Sequence, residues 1–272
     1  MKCACIDIGG TNLRIAMFQD NQIKLKEKYL IISFCEKNKI SKIAMCFPGI
    51  ADYENGIILK STNLPKWQNV SLKNYILNNS KIKKVLCARD SSAMAIANHF
   101  YFKQNKNDIT QFFTISTGFG AGLIINNKIF YGANNKAQIV YNSPWSSVYN
   151  KQEMYKVCSG NGIKKRCQEL NINLEPQDIF KKYDTNLEIK QIIDDAIEAL
   201  SKAICSSIVL INPNLFVFGG SISRKNKWFI NKAIEKTKLY LGEFMLKNVT
   251  FKIEELDDDS ALIGLNFLIN GY

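Results

Sequence analysis

Histidine is almost missing: His99 is the single one in 272 residues. A zinc site built on several histidines is therefore excluded, and any Ser-His-Asp or Cys-His machinery would have to run through His99. Proline is scarce, at five, and no Pro/Gly/Ser-rich linker or low-complexity tract divides the chain. No run reaches the ~18 apolar residues of a membrane span. The longest, Ile208 to Phe218, is broken by Asn212-Pro213-Asn214. The opening MKCACIDIGGTN lacks the long apolar core of a secretory signal, so a soluble, cytoplasmic protein is expected. G-x-x-x-x-G-K-[ST] is absent, which excludes a P-loop NTPase. No cysteine pair is spaced C-x-x-C.

What is present is ordinary for a globular protein: 46% hydrophobic and 22% charged residues. The length suggests about two domains, each large enough for its own core. Eight cysteines (Cys3, Cys5, Cys35, Cys46, Cys87, Cys158, Cys167, Cys205) lie mostly in apolar runs. They read as buried, reduced thiols. Lys and Arg outnumber Asp and Glu by 36 to 24, a net charge of +12. The basic clusters Lys81-Ile82-Lys83-Lys84 and Lys164-Lys165-Arg166 are short and suit solvated faces. With no nucleic-acid motif beside them, neither nucleic acid nor membrane is expected as a partner. A basic surface does attract anionic small molecules such as nucleotides.

Hydrophobic periodicity predicts strands at Lys2–Ile8, Leu13–Phe18, Lys42–Phe47, Ile57–Lys60 and Val85–Ala88, then a helix over Ser91–Phe102 with Asp90 or Ser91 as its cap. Ile23–Ile32 reads as a third strand or a strand running into a short helix. A second block follows: strands at Phe112–Ser116, Leu123–Ile125 and Lys128–Tyr131, helices at Gly160–Leu170 and Asn186–Ile211. It ends in a strand at Leu215–Phe218, a helix at Lys225–Leu241, a strand at Val249–Ile253 and a helix at Ser260–Ile269. Each half thus opens with strand, Gly-rich turn, strand, a weak internal repeat.

Three glycine loops carry the chemistry. Asp7-Ile8-Gly9-Gly10-Thr11-Asn12 lets the backbone turn sharply, and its N–H groups with the Thr11 hydroxyl can meet phosphate oxygens. Asp7 at the strand end can hold Mg²⁺ through water. An ordinary tight hairpin uses Gly-Gly as well. Thr117-Gly118-x-Gly120-x-Gly122 lies between strands, so it is no dinucleotide fingerprint, which opens a helix. Gly219-Gly220 ends the strand FVFGG. Asp90, between a strand and a helix, suits a general base, and equally a helix N-cap.

Together these segments resemble the ROK family of sugar kinases. The carrying residues are DIGGTNLRIAMF (7–18), FPGIAD (47–52), STNLPKW (61–67), RDSSAMAIANHF (89–100), TISTGFGAGLIINNKIFYGANNKAQ (114–138), SGNGI (159–163), FVFGGSIS (216–223) and DSALIGL (259–265). The resemblance implies an α/β, two-lobed actin/hexokinase-like (ribonuclease H-like) fold with the active site in the inter-lobe cleft. It puts an N-terminal lobe at 1–108, with the C-terminal helix 258–272 packing back on it, and a C-terminal lobe at 109–257. It implies an ATP-dependent kinase acting on the 6-hydroxyl of a hexose or N-acylhexosamine, N-acetylmannosamine before glucose. Asp90 would be the base and Asp7 an indirect Mg²⁺ holder. Gly9, Gly10, Thr11, Asn12, Thr117, Gly118, Gly120, Gly219 and Gly220 would bind Mg-ATP. Gly49, Thr62, Asn63, Arg89, Gln138 and Tyr141 would face the sugar. A homodimer stays open.

Departures from the family pattern fall on the sugar side. Arg89 stands where an Asn is usual, Gln138 for a Glu, Tyr141 for a His, and Tyr155 for a further Glu, for which Glu153 could substitute if the local helix shifts. The cysteine-rich zinc loop is missing, so no zinc is expected. Arg89 either points to solvent or meets an anionic substrate group, the first being preferred. The substitutions leave a second class open, a non-catalytic sugar or nucleotide sensor. Only six residues precede Asp7, so a repressor's N-terminal helix-turn-helix is not expected.

Overall fold

The computed structural model describes residues 2–8, 13–20, 22–27, 31–60, 69–147 and 150–271. Gly9, Gly10, Thr11, Asn12, Thr62 and Asn63 lie outside the described residues. The chain divides into two units: Met1–Lys103 with Gly122–Ala137 and Leu256–Tyr272, and Gln104–Ala121 with Gln138–Glu255.

The first unit is built on strands β1 (Lys2–Ile8), β2 (Leu13–Gln19), β3 (Gln22–Glu27), β4 (Lys42–Phe47) and β5 (Lys84–Arg89), in the order β3-β2-β1-β4-β5. β1, β2 and β3 pair antiparallel, while β4 runs parallel to both β1 and β5. β1 and β4 are almost wholly buried, which is why they read as continuous apolar runs instead of alternating ones. Helix α1 (Asp90–Tyr101) follows β5 directly.

The second sheet consists of β6 (Thr110–Ile115), β7 (Phe119–Ile125), β8 (Lys128–Ile129), β9 (Leu215–Gly219) and β10 (Thr250–Ile253), in the order β8-β7-β6-β9-β10. β6, β9 and β10 belong to the second unit, while β8 and the end of β7 from Gly122 are counted with the first. This repeats the first sheet strand for strand. β9 is buried throughout, and Phe216 packs edge-on to Phe113 and face-on to Phe218. Outside the sheet lie α2 (Gly160–Glu169), α3 (Leu187–Ile211), α4 (Gly220–Lys225) and α5 (Lys227–Leu246). Asn186 caps α3 through the Ile189 N–H at 2.8 Å, and Asn212 ends it in the left-handed region. Its buried stripe, Ile189, Ile192, Ile193, Ala196, Leu200 and Ile204, keeps helical spacing.

The last helix, α6 (Ser260–Asn270), lies in the first unit against α1. A Cβ on Gly264 would come 1.8 Å from the Ala93 carbonyl oxygen. Residues 122–137 also belong to this unit, so a single cut after residue 108 does not describe the chain. The reason is their packing against α1. A Cβ on Gly122 would meet Ser91 O at 2.6 Å, and His99 Nε2 lies 2.9 Å from Asn127 Oδ1.

Candidate active site

The register of the first sheet sets the carboxylates. Asp7 of β1 is the partner of Cys46 on β4, and Cys46 is the partner of Ala88 on β5. Asp90 stands two residues beyond Ala88. The charge of Asp7 reaches Asp90 there, and that of Asp90 reaches Cys46. β5 passes into α1 without a turn, which makes Arg89 the cap position and Asp90 the first helical residue. The cap reading of Asp90 is thereby corrected, although Asp90 Oδ1 still takes the Ser91 N–H at 2.7 Å.

Both carboxyls titrate above the usual range. Burial pushes Asp90 up and the charge of Asp7 adds to it, against the Ser91 N–H and Arg89. Burial raises Asp7 as well, against the Cys46 thiol and Arg14. Cys46 donates its S–H to Asp7 Oδ1 at 3.3 Å, and burial beside the two carboxylates keeps that thiol protonated. Arg14 Nη1 lies 3.9 Å from Asp7 Oδ2 and donates to Asp258 O at 2.9 Å.

Arg89 is 6% exposed, so the solvent-facing reading is overturned. Nη1 donates to Ala137 O at 2.7 Å, Nη2 to Asn135 O at 2.8 Å, and Nε to the Tyr53 hydroxyl at 3.3 Å. The Tyr53 hydroxyl donates in turn to Gly49 O at 3.0 Å. Gly49, at φ 110°, makes the turn after β4.

In the second unit, residues 116–118 turn between β6 and β7. The turn is pinned by Gly160 N–H to Ser116 O (2.8 Å) and Asn161 N–H to Thr117 O (3.2 Å), while the Thr117 side chain stays exposed. Gly118 faces the Tyr155 ring, 3.9 Å from where a Cβ would stand. Gly120 lies within β7. Gly219 ends β9 and Gly220, at φ 86°, opens α4. Neither has room for a side chain: a Cβ would fall 2.5 Å from Phe112 and Glu254 at the first, and 2.5 Å from Ile115 O at the second. The buried Glu254 accepts the Gly220 N–H at 3.3 Å. Gln138 Oε1 accepts from Gln111 Nε2 at 2.8 Å, Tyr141 packs against the apolar core, and Glu153 is exposed.

Sequence reasoning passed over Cys46, Tyr53, Arg14 and Glu254. Each meets a partner across strands or far along the chain, which local pattern does not show. Among the described residues no group of three or more His, Cys, Asp or Glu could hold a metal, and no helix is long and apolar enough to cross a membrane.

The sequence model of the ROK family matches residues 3–271. The glucokinase of Thermotoga maritima is 21% identical over 99% of this chain and 97% of its own. An N-acetylmannosamine kinase of Haemophilus influenzae is 21% identical over 99% of this chain and 95% of its own. Among solved structures, the ROK hexokinase from Thermus thermophilus aligns with a TM-score of 0.84 at 16% identity, over 99% of this chain and 98% of that one. The shared fold is the actin/hexokinase-like α/β architecture. The family consists mostly of sugar kinases and includes transcriptional repressors.

Proposed function

Because the chain belongs to the ROK family, we propose that it is an ATP-dependent sugar kinase, transferring phosphate to the 6-hydroxyl of a hexose or N-acylhexosamine. N-acetylmannosamine is the first substrate to test and glucose the second, in line with the names of relatives that match nearly the whole chain. The observation that carries the reading is Asp90: a partly buried carboxylate at a strand-helix junction, with its affinity for a proton raised by burial.

Phosphoryl transfer asks a protein mainly for positioning and charge stabilisation. A carboxylate with raised pKa is the stronger base, and Asp90 would take the proton of the sugar hydroxyl as that oxygen attacks phosphorus. The Ser91 N–H donates to Oδ1 and helps to fix the carboxylate. The turn at 117–118, with Thr117 exposed and open space beside Gly118, suits close backbone approach by a phosphate chain, whereas Gly219 and Gly220 are glycine because protein atoms fill the place of a side chain. The family's kinases use ATP with magnesium. Mg²⁺ is typically held by one or two carboxylates plus substrate phosphates and water, and Asp7 is a carboxylate of that kind beside the base. When bound, magnesium offsets charge on the phosphates.

A coupled ADP-release assay over N-acetylmannosamine, glucose, N-acetylglucosamine, mannose and fructose, with Asp90→Asn as control, tests the proposal. Turnover of at least one sugar that disappears in the variant supports it, and silence across the panel sinks it. The sensor reading is motivated by the uncharged Gln138, Tyr141 and Tyr155 at positions where the resemblance expects Glu and His. Tight ATP binding without turnover, unchanged by Asp90→Asn, favours the sensor.

A further inference from the structure

Arg89 adjoins the proposed base, and its guanidinium is committed to the protein itself. Two of its N–H groups hold the carbonyls of Asn135 and Ala137, two residues apart, at 2.8 and 2.7 Å. A planar fork can span two such carbonyls at once, and a lysine ammonium cannot do so in the same geometry. The third donor, Nε, meets the Tyr53 hydroxyl, and the guanidinium carbon stands 5.8 Å from the centre of the Tyr53 ring. Tyr53 is itself fixed between Phe47 and Tyr131, with ring centroids 5.7 and 5.0 Å away. Its hydroxyl passes the constraint on to Gly49 O at 3.0 Å.

The segment that Arg89 holds is conformationally costly. Between Gly132 and Gln138 four residues have left-handed backbone: Gly132 (φ 65°), Asn134 (54°), Asn135 (57°) and Gln138 (63°). Glycine and asparagine adopt such backbone readily, so the strain falls on Gln138, next to the Ala137 carbonyl that Arg89 holds, and two carbonyls on a buried cation fix the path of the segment that leads to it. To bind an anionic substrate group instead, the guanidinium would have to release these carbonyls.

We infer that Arg89 is a positioning residue, a clamp that holds the Gly49 turn and residues 133–137 in place for an uncharged sugar, and that it does not serve as the receptor for an acidic one. This rests on the sugar-kinase reading, with Gly49 on the sugar side. The clamp explains how a cation can stand beside the base without selecting a charged substrate. Tyr53 is its second member.

The test uses Arg89→Lys, which keeps the charge and loses the fork, and Tyr53→Phe, which keeps the ring stack and loses the hydroxyl. In steady-state kinetics the sugar KM is expected to rise about tenfold in the first and about threefold in the second, with the ATP KM moving less than about twofold, as loss of positioning hydrogen bonds on one substrate's side would give. Amide hydrogen exchange over residues 132–138 is expected to accelerate in both variants, while exchange in β1 and β4 stays as in the wild type. Wild-type activity on acidic sugars above that on neutral ones, lost in Arg89→Lys, overturns the inference. So does unchanged sugar KM with unchanged exchange at 132–138. If the wild type turns over no sugar at all, the kinase reading falls, and the exchange measurement by itself decides whether the clamp exists.

Discussion

Asp90 keeps a carboxylate where burial disfavours one, and function and stability pull apart at this residue. Its folded-state pKa lies above the unfolded value of 3.8, so the folded chain holds the proton more tightly. Stability therefore falls as pH rises through that window, and at neutral pH the ionised group is a cost. Asp90→Asn is expected to melt higher than the wild type in a calorimetric scan at pH 7 while losing about 10²–10⁴-fold in kcat. A lower melting temperature contradicts the argument. Cys46 gives a second residue-scale prediction. Its thiol orients Asp7 at 3.3 Å. Cys46→Ala is expected to raise the magnesium concentration needed for half-maximal rate, and Cys46→Ser, which keeps a donor, to restore it. Equal magnesium dependence in all three proteins removes the role. The strand-helix junction at Asp90 was legible in the sequence, because a short apolar strand gives way there to helical spacing. Arg89 was not, because its three acceptors sit 36, 46 and 48 positions away, and only the fold shows that a cation can be buried there.

Elements were legible in proportion to their periodicity. β1, β4, β9 and α3 are strongly apolar or strictly periodic, and their bounds follow the pattern closely. The hairpin of Pro144–Ser147 with Asn150–Glu153 and the six-residue α4 escaped, since a polar hairpin and a single helical turn carry no period to read. Two predictions live on elements. Glu198 of α3 binds Lys202 on its own helix and Lys236 and Tyr240 on α5. Burial pushes its carboxyl up, but these partners prevail and leave it at about 2, below the ordinary 4.5. The stability it supplies is complete above 4.5 and is lost as pH falls through about 2. Glu198→Gln should cost about 1 kcal/mol in urea unfolding at pH 7, and the difference from wild type should vanish in strong acid. A difference that is constant with pH would remove the charge argument. Gly264, closed in by the Ala93 carbonyl, is the other. Gly264→Ala forces α6 away from α1 and should destabilise by about 1–3 kcal/mol. An unchanged unfolding midpoint would show that the helices part freely.

At the scale of the whole molecule, the two sheets repeat one strand order, and the sequence announced this only as two glycine turns between strands. Strand order across the sheet is set by long-range pairing, so local pattern could not show it, nor that residues 122–137 join the first unit. All eight cysteines are free thiols; six are buried, and Cys87 and Cys205 are partly so. At most two are expected to react with a thiol reagent in the native protein, and all eight in denaturant. A native count above two would mean that the cores open.

The helix that closes the first unit is the last element of the described chain to be made. Ala261, Leu262, Leu265 and Ile269 of α6 share one apolar cluster with Cys3, Cys5, Phe18, Cys46, Ala88 and Ala93. On the ribosome, β1, β4 and α1 therefore emerge with one face uncovered, and they wait for about 160 further residues before their cover is synthesised. The second unit, contained within residues 104–255, can assemble during that interval. The seat of Asp90's helix is thus completed only once α6 is made, after the chain of the glycine turns at 117–118 and 219–220.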